Sequence, residues 1–130
     1  IVSDGFVQVS LFDEAGADNV EGMYGSAPTL NPDDLPGAGK EFNAKVEEQY
    51  GKPEVYTAYA VAALQMMLAA LEKSDGTREG VTAALAGASA DTVVGPITFD
   101  ENGDPADKFE SIFQAKSGAW EFVEQFKAPA

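Results

Sequence analysis

The final third of the chain is punctuated so strongly that few arrangements remain open to it. Asn102-Gly103 offers the positive backbone angles that a two-residue reversal needs, and Lys116-Ser117-Gly118-Ala119 offers a second reversal. Around them the pattern predicts short strands over residues 92–94, 96–99, 109–116 and 119–123, with residues 123–130 as a tail. Trp120, beside Phe122, reads as a packing residue of the last strand.

Helices are expected before these strands. Pro36 precedes a segment from Gly37 to Tyr50 in which Phe42, Val46 and Tyr50 recur at spacing four, and Gly51 stops it. A second helix is predicted over 54–73. Its Tyr56, Tyr59, Ala60, Ala63, Leu64, Met67, Leu68 and Leu71 cover more than one face, which implies burial on several sides. Residues 55–71 carry no charge, but Thr57, Gln65 and the many alanines favour a buried helix over a membrane span. Thr77 is a good amino-terminal cap for a third helix with Val81, Ala84 and Leu85 inward and Gly87 at its end. Upstream, residues 1–3 read as the end of a strand and Ser3-Asp4-Gly5 as a loop at its carboxyl end. A short helix over 6–14 stopped by Ala15-Gly16-Ala17-Asp18, a strand over 20–26, and a proline-rich crossing segment over 27–36 follow. This order indicates an α/β protein with no internal repeat and no linker between independent domains.

Composition narrows function. The 130 residues, 45% of them hydrophobic, suffice for one domain's core. A net charge of −14, from 22 acidic and 8 basic side chains, repels phosphate backbones and anionic lipid, so neither nucleic acid nor a membrane surface is an expected partner. Cysteine and histidine are absent, which removes disulfides, thiolate chemistry, the commonest general base and the commonest transition-metal ligand. No enzyme motif and no cofactor site is expected. The acidic run from Asp100 to Asp104 fails the helix-loop-helix calcium pattern, because Pro105 stands where glycine is required and Ser111 where the bidentate glutamate belongs. Asp33-Asp34 and Glu47-Glu48 read as solvated surface. The missing initiator methionine and signal segment suggest a piece of a longer protein. Asp4 is the leading candidate for binding, since ligands of open α/β folds gather at the carboxyl ends of strands. The plainer alternative is an aspartate that forms a local turn with Gly5.

The run Gly95-Pro96-Ile97-Thr98-Phe99-Asp100-Glu101-Asn102-Gly103-Asp104 resembles a motif near the carboxyl end of the solute-binding proteins of ABC transporters. Ala15-Gly16 followed by Val20-Glu21-Gly22, the tyrosine-led stretch from Tyr56 to Leu71, and Asp91-Thr92-Val93-Val94 occur in the family's order. From Ser3 to Val123 the chain resembles the carboxyl-terminal third of the branched-chain amino-acid type, with the type I periplasmic-binding fold. The resemblance implies two lobes joined by three crossing strands, with residues 1–27 and 109–130 in the second lobe and 28–108 in the first. It implies an extracytoplasmic receptor, periplasmic or extracellular and free or lipid-anchored, that closes on an amino acid or similar small solute and delivers it to a membrane permease. By the same resemblance Asp4 pairs with the ligand ammonium, Ser3 and Gly5 shape its loop and offer backbone contacts, and Tyr56 forms part of the side-chain wall. Core packing remains the alternative for Tyr56 and the better reading of Tyr59. Leucine-type relatives often carry glutamate where Asp4 stands, which leaves the ligand's identity open. A ligand-sensing regulatory module of the same fold is the alternative function. With much of each lobe's sheet absent, exposed edges would invite self-association or domain swapping.

Overall fold

A computed structural model of the chain describes residues 1–127. Its elements are, in order, a 3-10 turn (Asp4–Phe6), α1 (Ser10–Ala15), α2 (Ala17–Val20), β1 (Tyr24–Ala27), a second 3-10 turn (Pro32–Asp34), α3 (Gly37–Tyr50), α4 (Thr57–Lys73), α5 (Arg78–Ala86), β2 (Ser89–Thr92), β3 (Gly95–Thr98), β4 (Phe109–Lys116) and β5 (Ala119–Lys127). They form two compact units: Ile1–Asp34 with the described residues from Lys108 on, and Leu35–Asp107. The chain passes between them twice, so no single linker marks the division in the sequence.

The first unit is built on an antiparallel sheet in the order β1-β4-β5. Lys116 pairs with Ala119, and Ser117 (φ 52°) and Gly118 (φ 79°) both take positive angles, giving the two-residue hairpin turn expected there. Ser111, Phe113 and Ala115 alternate onto the buried face of β4. Phe12, Val20 and Ala115 form a small core against which Leu11, Met23 and Trp120 pack. Trp120 meets the Phe12 ring edge-on at 5.7 Å. A Cβ at Gly25 would lie 2.6 Å from Val7 and 3.2 Å from the Trp120 ring, so only glycine lets β1 pass beneath them.

Several boundaries differ from the sequence expectation. The expected strand over 1–3 is a single parallel bridge from Val2 to Gly25. The expected helix over 6–14 starts only at Ser10, because Phe6 belongs to the 3-10 turn. Gly16 (φ 83°) ends α1 as expected, and a second short helix, α2, follows at once. Val20 is therefore the buried last residue of α2, and β1 begins at Tyr24. The expected tail from Val123 is instead a continuation of β5. Phe122 faces Phe113 and Glu124 faces Ile112, so Val123 is the extra residue of a bulge. Residues 128–130 of that tail lie outside the described residues.

In the second unit α3 has the expected bounds, yet its one buried residue is Gly39, and Tyr50 is 83% exposed. The helix makes its close approach through backbone: a Cβ at Gly39 would collide with the Val93 carbonyl oxygen. α4 buries Ala58, Ala62, Met66 and Ala70, a narrow stripe at helical spacing. Burial on several sides is not observed, since Leu64, Met67, Leu68 and Leu71 are all exposed. Small residues let α4 seat closely on one side, and the long apolar side chains fall on the other. Among the described residues no helix is long and apolar enough to cross a membrane. Gln65 on α4 accepts the Val93 N–H at 3.0 Å, tying the helix to the β2–β3 hairpin. The hairpin turns at Val93-Val94, where a strand was expected, because Gly95 (φ 103°) and the Thr92 hydroxyl, which donates to the Gly95 carbonyl at 2.7 Å, close it there. Thr77 caps α5 as expected, accepting the Gly80 N–H at 3.1 Å. Asp75 in turn accepts from the Thr77 hydroxyl at 2.6 Å and from its amide at 2.9 Å, and these bonds hold its carboxyl below the ordinary aspartate range.

Asn102-Gly103 does not make the two-residue hairpin. Gly103 (φ 85°) takes a positive angle and Asn102 does not. The Asp100 carboxylate accepts the amides of Asn102 (2.9 Å) and Asp104 (3.0 Å), wrapping a wider loop closed by the Phe99–Pro105 bridge.

Candidate functional site

The Asp4 turn grows from the edge of the first unit's sheet. Val2 donates to the Tyr24 carbonyl at 2.8 Å and accepts from Ser26 at 3.2 Å, which holds the start of the chain beside β1 just before the turn. Ser3 is extended (φ −77°, ψ 172°) and starts the turn. The amides of Phe6 and Val7 then bond the carbonyls of Ser3 and Asp4, each at 3.0 Å. Val7, 1% exposed, anchors the turn against Gly25. Asp4 itself is half-buried, whereas Ser3 and Gly5 are exposed. Ser3, Asp4 and Gly5 are thus brought together as one structured turn rather than an open loop. Gly5 is not demanded by crowding, since an added Cβ would meet nothing.

Sequence reasoning passed over Gln8. Its side-chain amide donates to the Gly5 carbonyl at 2.9 Å, and its own carbonyl accepts the Trp120 indole N–H at 3.1 Å. The available signal was the indole, which seeks a hydrogen-bond partner when its ring is packed. Phe6 and Val9, within the segment expected to be a short helix, expose apolar surface close to Asp4 in sequence.

Tyr56 belongs to the other unit. It stands immediately before α4 (φ −95°, ψ −2°), its carbonyl accepts the Ala60 amide at 3.0 Å, and its side chain is exposed. Tyr59, one turn further, is half-buried. Among the described residues no group of acidic side chains is placed to hold a metal ion.

A sequence profile of the periplasmic binding proteins matches residues 4–119. The chain belongs to this family. The Leu/Ile/Val/Thr-binding protein of Salmonella typhimurium is 38% identical over 104 residues, covering 78% of this chain and 27% of that protein. A Leu/Ile/Val-binding protein homolog of Brucella abortus is 33% identical over 123 residues, covering 91% of this chain and 32% of that one. The chain therefore spans about a third or less of these relatives' length. A leucine-binding protein from Thermotoga maritima superposes with a TM-score of 0.82 at 25% identity, over 95% of this chain and 36% of the other. A branched-chain amino-acid transporter substrate-binding protein from Streptococcus pneumoniae gives 0.76 at 18% identity and supports the fold alone. The branched-chain amino-acid type and the type I periplasmic-binding fold, implied by the Gly95–Asp104 motif, are both borne out.

Proposed function

We propose that this periplasmic binding protein region serves the extracytoplasmic capture of an amino acid or closely similar solute for an ABC importer. The observation that carries the reading is its 38% identity to a Leu/Ile/Val/Thr-binding protein. Binding rather than catalysis is in keeping with relatives that are binding proteins. Capture in this reading is by closure of two lobes, with residues 1–27 and 109–130 in one and 28–108 in the other by family resemblance, and the closed form presents a surface to the membrane permease.

In this reading Asp4 accepts charge-assisted hydrogen bonds from the ligand ammonium, each worth about 1.5–3 kcal/mol. Ser3 and Gly5 supply backbone contacts around it, and Tyr56 contributes to the wall around the ligand's side chain. The ligand carboxylate is bound outside this chain.

A thermal-shift screen of the full-length protein that carries this chain, against amino acids, amides and small carboxylic acids, tests the reading. Stabilisation by an aliphatic amino acid is expected. Silence across the panel would overturn it.

A further inference from the structure

We infer that Gln8 and Trp120 are positioning residues for the Asp4 turn, acting through backbone carbonyls rather than by touching ligand. The inference rests on the proposed role of Asp4 and adds what holds that carboxylate in place. A single 3-10 turn has few bonds of its own, here the two from the Phe6 and Val7 amides. Such a turn frays unless something outside it holds the chain.

Two further bonds do this in series. The Trp120 indole N–H fixes the Gln8 carbonyl at 3.1 Å, and the Gln8 side chain fixes the Gly5 carbonyl, next to Asp4, at 2.9 Å. Trp120 is a firm anchor because it sits on β5 opposite Ala115, meets Phe12 edge-on, and lies over Gly25. The anchor is thus 112 residues away from Gln8 in sequence but tied to the same sheet from which the Asp4 turn emerges. Gln8 is exposed, so losing its amide leaves the core intact. Gly5 contributes its carbonyl here, and its lack of a side chain plays no part.

Two variants separate the links. Gln8→Met keeps length and removes the donor, and Trp120→Phe keeps an aromatic ring and removes the indole N–H. On the 130-residue chain, amide hydrogen exchange at Phe6 and Val7 is expected to quicken about three- to tenfold in each variant. The Gly80 and Val81 amides, which belong to the other unit, serve as controls and stay unchanged. Equal exchange in wild type and Gln8→Met overturns the inference, whatever the ligand turns out to be. In the full-length protein, Gln8→Met is expected to weaken an amino acid more than its des-amino acid analogue. Equal weakening would make Gln8 merely structural and also overturns the inference. If neither compound binds the wild type, the functional reading fails while the exchange result still decides the positioning.

Discussion

At residue 39 a single methyl group decides whether α3 can sit where it does. Gly39→Ala would push a Cβ into the Val93 carbonyl oxygen, which is backbone and cannot swing aside. Overpacking of this kind typically costs about 1–3 kcal/mol, and the loss is expected as a lowered denaturant midpoint for this chain with an unchanged slope. Gly25 is constrained by side chains instead, the Val7 methyl and the Trp120 ring. Neither restriction was visible in the sequence, because the atoms that impose it come from distant segments. Thr77 was visible, because a cap is a contract between neighbours three residues apart. Asp4 was legible as a candidate from its loop at the end of an expected strand, and the family pattern added a role for it. Gln8 was not, because its partner Trp120 comes from a distant strand.

At the scale of elements, the bulge at Val123 decides what β5 turns inward. Before it, Trp120 and Phe122 stand opposite Ala115 and Phe113; after it, Gln125 stands opposite Ser111. Uninterrupted alternation would have aimed Glu124 at that buried position. Gln125 instead accepts the Asn31 N–H at 3.0 Å, while the Ser111 hydroxyl donates to the Thr29 carbonyl at 2.7 Å. These bonds fix the segment that leaves β1. Gln125→Ala strands the Asn31 amide, and leaving such a group unpaired costs about 1–3 kcal/mol. Faster exchange of the Asn31 amide together with a lower unfolding midpoint is expected; unchanged exchange at Asn31 would refute this account of the bulge. The sequence suggested an end at Val123 because the bulge is set by the cross-strand partner. Asn102-Gly103 misled for a different reason: the Asp100 carboxylate captured the nearby amides and widened the turn. The bounds of α3 were read correctly because Pro36 and Gly51 bracket it locally, whereas its buried side was not.

For the whole molecule, the exposed apolar residues carry the information. Leu64, Met67, Leu68 and Leu71 on α4, with Phe122, Val123 and Phe126 on β5, are all at least 40% exposed. Periodicity announced that α4 was apolar, but which side it buries depends on neighbours that periodicity does not name. Apolar surface of this kind favours association, and the net charge of −14 opposes it. Self-association of the 130-residue chain is therefore expected to strengthen as salt screens the charge. Sedimentation velocity that finds only monomer from low to high salt would contradict this. The α/β class followed from the order of elements, and the family from the motif at Gly95–Asp104. The division into two units was not legible in composition, since a chain that crosses twice needs no linker.

Ligand capture through Asp4 can be tested by calorimetry on the full-length protein. An aliphatic amino acid and its des-amino carboxylic acid would be titrated into wild type and Asp4→Asn. A loss of about 2–5 kcal/mol is expected for the amino acid, whose ammonium loses its partner, and a much smaller change for the analogue. Equal losses for both ligands, or none for the amino acid, would contradict it.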